Sequence, residues 1–167
     1  MKYTEFNSPL GVLCVATSDM GLSGVYFEQH QHFKGIQGWQ AAPAHPLLQL
    51  ATQQLREYFA GQRQHFDLPL DMSSGTPFQQ SVWRALQQIP FGQTCSYGTL
   101  AASIDKLSAV RAVGAANGRN PLSIIVPCHR VIAANGALTG YAGGLKNKQA
   151  LLQLEAYQSL HQAPLFT

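Results

Sequence analysis

The chain has 167 residues, enough for one domain or two small ones, and 46% hydrophobic against 11% charged residues describes a folded protein with a lean polar surface, not a disordered one. No apolar run approaches the roughly 18–20 residues of a membrane span, and the first ten residues lack the basic, apolar and small-residue order of a secretory leader, so the expected compartment is the cytoplasm. The formal charge of +3 is uneven: four basic against six acidic side chains give −2 over residues 1–77, and seven against two give +5 over residues 78–167. A polyanion would therefore be held by the second half, although a small protein can reach such an asymmetry by chance.

From Tyr3 to Gln29, short apolar runs are broken by "SPLG" at Ser8–Gly11 and "SDMG" at Ser18–Gly21, which predicts three antiparallel strands in a meander. Gln29 to Ala44 has no period and reads as loop. "HPLLQLATQQLREYFAG" predicts a helix with Pro46 in its first turn and Gly61 as its stop. Its apolar face is Leu47, Leu48, Leu50, Ala51, Leu55, Tyr58 and Phe59. "HFDLPLDM" reads as a further strand that Pro69 confines to an edge.

"SSGTPF" at Ser73–Phe78 is a small, flexible break where the charge balance changes sign. It divides the chain into an N-terminal α/β domain, 1–75, and a mainly helical C-terminal domain, 76–167; the fold class is α+β. In the second part Thr76 caps and Pro77 opens a helix through Gln88 that presents Phe78, Val82, Ala85, Leu86 and Ile89. Short helices follow at Tyr97–Ile104 and Ala109–Asn117, and a last helix runs from Leu145 to about Tyr157.

The two short helices have helix-turn-helix spacing. In the second, Ser108 is the expected N-cap, and Ala109, Ala112, Val113 and Ala116 form the expected inward stripe. Arg111, Gly114, Ala115 and Gly118 then face the other way. A face of Gly and Ala gives up helix propensity, about 1 kcal/mol for each Gly relative to Ala, and permits close approach to something flat or grooved. Either DNA or another helix of the chain fits it.

Cys14, Cys95 and Cys128 are an odd number with no CxxC pair, so neither a disulfide framework nor a cysteine metal cluster is suggested. Cys128 stands beside His129 in the apolar run "IIVPCHRVI". A thiolate is the reactive form of cysteine, and a neighbouring imidazole can take its proton, directly or through water. Glu155 falls three and four residues after Leu152 and Leu151, on the expected buried face of the last helix, and a buried carboxylate needs a partner. Singly, each residue also has a structural reading: a small core thiol, a packing histidine, a helix-end carboxylate in water. "NGALTGYAGGLKNK" has a turn at Asn135-Gly136 and a glycine loop around Tyr141, suited to walling a planar base.

Together "TPFQQSVW", "FGQTCSYGTLA", "RAVGAANGRNP", "PCHRVI" and "GYAGGLKNKQALLQLE" closely resemble the methylated-DNA–protein-cysteine methyltransferases, the O6-alkylguanine-DNA alkyltransferases. The likeness spans Thr76–Glu155 and is weaker over residues 1–73. It implies a ribonuclease H-like N-terminal domain and a C-terminal domain whose helix-turn-helix enters the minor groove of double-stranded DNA. O6-alkylguanine, and by extension O4-alkylthymine, would be flipped out and its alkyl group moved to the protein once, without cofactor or metal. The implied acceptor is Cys128, with His129 as water-linked base, Glu155 as the carboxylate that orients it, and Asn120 tying the hinge between recognition helix and active-site segment. Arg111 corresponds to the finger that replaces the extruded nucleotide, and Gly114, Ala115 and Arg119 to the rest of the DNA face. Tyr97 is implied both at the 3′ phosphate and in the base pocket, which Val131, Tyr141 and Ala142 complete. A monomer with no membrane partner is expected.

The chain departs from the family at several points. Ala142 replaces a serine of some members, Gly118-Arg119 reverses an Arg-Gly order, and "DKLS" lacks the Gly or Pro common between the two short helices. Cys14, His30, His32 and His45 form no convincing counterpart of the N-terminal zinc site some members have. Competing readings are a non-catalytic alkyltransferase-like protein that only binds the lesion, against which Cys128 is intact; a cysteine hydrolase, which lacks an oxyanion-hole motif; and a helix-turn-helix regulator, which would present base-reading side chains.

Overall fold

A computed structural model describes residues 1–161 of the chain. Strands β1 (Lys2–Ser8), β2 (Gly11–Thr17) and β3 (Leu22–Phe27) form the expected antiparallel meander, with Ser8 facing Gly11 across the first turn and Phe6 facing Leu13. The segment read as loop contributes one more short strand, β4 (Gln40–Ala41), parallel to β1, so the sheet has four strands in the order β3-β2-β1-β4. Two residues are too few to show a period. The expected strand after Phe66 shrinks to a bridge of Leu70 with Leu22: the Leu22 N–H donates to the Pro69 carbonyl and Asp71 N–H to the Leu22 carbonyl.

Helix α1 (Pro46–Phe59) lies on this sheet. Leu48, Ala51, Leu55, Tyr58 and Phe59 are buried as expected, whereas Leu50 is exposed because it sits outside the 3.6-residue phase of the others. The helix ends at Ala60, and Gly61 takes φ +75° as the chain turns away.

Helix α2 (Pro77–Leu86) begins in a capping box: Gln79 N–H donates to the Thr76 hydroxyl, and Thr76 N–H to the Gln79 side chain. It ends two residues earlier than expected. Its Trp83 Nε1 donates to the Ala116 carbonyl at 2.8 Å, tying it to helix α4 (Val110–Gly118). Between them, β5 (Cys95–Ser96) leads into α3 (Tyr97–Ser103), where Ser96 caps the N-terminus. Asp105 makes the turn after α3 in the left-handed region, φ +57°, a conformation open to Asp, which explains how "DKLS" turns without Gly or Pro.

Two expectations for the second short helix fail. Leu107–Ala109 form a turn of 3-10 helix, so Ala109 stands at the cap of α4 and Ser108 caps nothing. The buried stripe is Val113, Ala116 and Asn117, with Val110 packed beside it, and Ala112 is exposed. The buried stripe is centred on Val113 and Asn117, and at about 100° per residue Ala112 falls outside it.

The last helix, α5 (Leu145–His161), runs four residues past its expected end. Two features fix what lies between α4 and α5. The open edge of β3 takes up residues 121–123: Val25 N–H donates to the Pro121 carbonyl at 2.9 Å and Ser123 N–H to the Val25 carbonyl at 3.2 Å. Further on, β6 (Val131–Ile132) pairs in parallel with β5. The Cys-His segment is thus pinned by the N-terminal sheet on one side and the helical half on the other.

Candidate active site

Asn120, directly after α4, organises the segment that follows. Its Oδ1 accepts from Leu122 N–H at 3.0 Å, and its Nδ2 donates to the Val126 carbonyl at 2.8 Å and to Cys128 Sγ at 3.1 Å. Within this clasp Ile124, buried and β-branched, is held at φ +73°, a conformation such residues rarely adopt. Val126 N–H to the Leu122 carbonyl and Cys128 N–H to the Val126 carbonyl complete the local bonding that enforces it.

Cys128, His129 and Arg130 form one turn of 3-10 helix, not the extended strand the apolar run suggests, with Arg130 N–H donating to the Pro127 carbonyl. All three are buried. Burial pushes the Cys128 thiol up; the Asn120 donor, the Lys148 charge and Tyr141 act against that without cancelling it. A base is therefore needed to remove the proton.

His129 Nε2 and Glu155 Oε2 are 2.7 Å apart. With Nε2–H donated to the carboxylate, the lone pair of a neutral imidazole is left on Nδ1, which is buried and has no hydrogen-bond partner among the described residues. No hydrogen bond joins His129 to Cys128 Sγ. Glu155 is buried on α5, as its helical phase predicts, and has more partners than the sequence reveals: Arg130 donates through Nε to Oε1 at 2.8 Å and through Nη2 to Oε2 at 3.0 Å, and the Tyr58 hydroxyl donates to Oε2 at 2.7 Å. Burial would raise the carboxyl, but the charges and hydrogen bonds of His129 and Arg130 outweigh it and hold Glu155 well below the usual carboxylate range.

The far wall comes from the glycine loop. Lys148, fully buried on α5, donates through Nζ to the Val131 carbonyl at 2.6 Å and the Thr139 carbonyl at 2.9 Å, closing the loop onto β6. Val131 N–H donates to the Cys128 carbonyl, so both backbone groups of Val131 are engaged, though its carbonyl keeps a second lone pair. Gly143 is required here: a Cβ would come within 2.5 Å of the Phe27 ring. The Tyr141 hydroxyl is buried near Cys128 and Ser123 without meeting hydrogen-bond geometry with either. Ala142 gives its carbonyl to Gln31 N–H of the N-terminal part, and the half-exposed Tyr97 donates its hydroxyl to the Thr139 carbonyl at 3.2 Å.

Arg111 and Ala115 on α4, and Arg119 at its C-cap, are exposed. Gly114 is half-buried against the Tyr97 ring, where a Cβ would lie 3.6 Å from Cδ1, and nothing lies within 4 Å of the Cβ position at Gly118. No helix among the described residues covers this face. The structure thus brings Cys128, His129, Glu155 and Asn120 into one cluster, with the loop of Tyr141 and Ala142 above it and the Arg111 face beyond Tyr97. Three buried side chains at the site have no role that the sequence discloses: Arg130, Tyr58 and Lys148. Only Lys148 gives a signal, because it shares the helical phase of Leu151 and Glu155. Among the described residues, no cluster of three His, Cys, Asp or Glu side chains is arranged to hold a metal ion, and no helix is long and apolar enough to cross a membrane.

Residues 1–72 match the family model for the "6-O-methylguanine DNA methyltransferase, ribonuclease-like domain", and residues 77–157 the model for the "6-O-methylguanine DNA methyltransferase, DNA binding domain". The chain is similar to a methylated-DNA–protein-cysteine methyltransferase of Mycolicibacterium paratuberculosis, 46% identical over 99% of both chains. It is also similar to the constitutive one of Bacillus subtilis, 46% identical over 90% of this chain and 92% of the relative. Among solved structures, Mycobacterium tuberculosis OGT in complex with DNA superposes with a TM-score of 0.88 at 44% identity, over 99% of this chain and 96% of the other.

Proposed function

The chain belongs to the O6-methylguanine DNA methyltransferase family and works in DNA repair as a methylated-DNA–protein-cysteine methyltransferase, and from that premise we propose how its own residues carry the transfer. Cys128 is the acceptor. Its thiol proton passes through a bridging water to His129 Nδ1, and Glu155 stabilises the imidazolium that results. The thiolate then displaces guanine from the methyl group: the S–C bond forms as the O6–C bond breaks, and the electron pair is left on the base, which Tyr97 meets at N3. The product thioether has no leaving group, so each molecule reacts once.

The single observation that carries this reading is the buried cluster of two bonded pairs, Asn120 with Cys128 and His129 with Glu155, in which His129 Nδ1 is left unpartnered and the carboxylate is held ionised. The exposed Gly/Ala face of α4 supports contact with double-stranded DNA through Arg111, Gly114, Ala115 and Arg119, with Arg111 filling the space of the flipped nucleotide. Tyr141, Ala142 and Val131 wall the base. We further infer that residues 1–75 and 76–167 are the two domains, that a monomer suffices because every residue given a role lies in one chain, and that the protein works in the reducing cytoplasm that a free acceptor thiol requires. O4-alkylthymine, which presents a similar alkylated oxygen, is a second substrate.

The test is substrate consumed per mole of protein, for duplexes bearing O6-methylguanine or O4-methylthymine. Wild type should consume one equivalent of each and Cys128→Ser none; continued consumption beyond one equivalent would contradict a one-use acceptor.

A further inference from the structure

The carboxylate behind His129 is completed from the other half of the molecule. Tyr58 lies on α1, 97 residues before Glu155, fully buried, and its hydroxyl is 2.7 Å from Oε2. A carboxylate can only accept, so the hydroxyl donates. Oε2 is also the oxygen that faces His129 Nε2 at 2.7 Å, so tyrosine and imidazole share the electron density of one atom. The Tyr58 ring is fixed by Phe59, Phe66 and Phe91 at centroid separations of 5.2–6.1 Å, which leaves the hydroxyl little freedom to turn elsewhere.

We propose that Tyr58 is a positioning residue for methyl transfer: by donating to Glu155 Oε2 it sets how strongly the carboxylate holds the His129 proton, so that the N-terminal domain tunes the base that activates Cys128. This rests on the methyl-transfer reading above. Removing the hydroxyl leaves Oε2 with two donors instead of three and more negative charge towards the imidazole. The carboxylate then holds the proton on His129 more tightly, which changes how readily the imidazole serves as base. The other groups facing this carboxylate or its tyrosine are Arg130 from the 3-10 turn and Tyr141 from the glycine loop; Lys148 and Cys128 lie one step further. A phenylalanine at 58 keeps the aromatic packing and alters none of these side chains.

The experiment is a pH–rate profile of single-turnover transfer from an O6-methylguanine duplex, for wild type and Tyr58→Phe, with a parallel profile of Cys128 alkylation by iodoacetamide resolved by peptide mass spectrometry. Tyr58→Phe should be slower at neutral pH by about tenfold, the size expected when one hydrogen bond to a charged group is lost. Its acid limb should move to higher pH in both assays. An unchanged rate, or a loss of the same factor at every pH with an unmoved acid limb, would reduce Tyr58 to a structural anchor and overturn the proposal. Failure of wild type to transfer at any pH would overturn the methyl-transfer reading instead, and the iodoacetamide profile, which needs no DNA, would still decide the role of Tyr58.

Discussion

Arg130 grips Glu155 at both carboxylate oxygens, Nε to Oε1 at 2.8 Å and Nη2 to Oε2 at 3.0 Å, while its Nη1 donates to the Ile89 carbonyl at 2.7 Å. One guanidinium thereby fixes the 3-10 turn carrying Cys128 to α5 and to the turn that follows α2. Its planar fork matches the carboxylate in a way a lysine ammonium cannot. Arg130→Ala should destabilise the protein by roughly 3–5 kcal/mol, because it leaves Glu155 a buried carboxylate without its counter-charge. Arg130→Lys should recover only part of that, as read by urea unfolding.

Acid sensitivity should come in two steps. His30 is buried, and burial first and His32 second lower its pKa from 6.5 to about 4. Between those values the unfolded chain binds a proton that the folded one refuses, so stability falls as pH drops from 6.5 towards 4. Glu155 adds a second loss below the ordinary carboxylate pKa near 4.3, since its folded value is depressed and the unfolded chain protonates first. His30→Gln should flatten the first step and Glu155→Gln the second in unfolding free energies measured against pH.

Asn120→Ala removes the donor to Cys128 Sγ and to the Val126 carbonyl and strands the Leu122 N–H. A cost of about 1–3 kcal/mol in stability is expected for unsatisfied buried groups. The donor also helps offset the burial of the thiol, so iodoacetamide alkylation of Cys128 should become slower at a given pH.

Arg111→Ala should slow repair of duplex DNA far more than reaction with free O6-methylguanine base, because the exposed guanidinium serves extrusion and not the chemistry. Equal losses on both substrates would contradict that role.

Gly114→Ala separates stability from DNA contact. The added Cβ meets the Tyr97 ring at an ordinary 3.6 Å, and the change in mid-helix should stabilise α4 by up to about 1 kcal/mol. If the small face exists for close approach to DNA, the same variant should bind duplex more weakly despite its higher melting temperature.

How far these features were legible in the sequence depends on how local their causes are. The β1–β3 meander, α1 and the capping box at Thr76 follow from turn residues, periodicity and caps, and Glu155 from helical phase. The start of α4 is hidden in the sequence because a 3-10 turn precedes it and leaves Ser108 without a capping role, and Ala112 lies outside the stripe centred on Val113 and Asn117. β4 and the β5–β6 pair were invisible because two-residue strands have no period. The partners of Glu155 were the larger omission. Tyr58 reads as one more apolar residue on α1, and only the tertiary structure reveals that its hydroxyl goes to Glu155 on α5. Arg130 stands in the apolar run beside His129 with nothing in the sequence to name its partner, and only the turn after Pro127 directs it to Glu155.

The central claim is that Cys128 itself keeps the methyl group. The direct measurement is intact-protein mass spectrometry after incubation with duplex DNA carrying O6-methylguanine, followed by peptide mapping. A gain of one CH2 located on Cys128, absent from a control with unmodified duplex, is the predicted result; an unchanged mass while the lesion duplex stays tightly bound would contradict it.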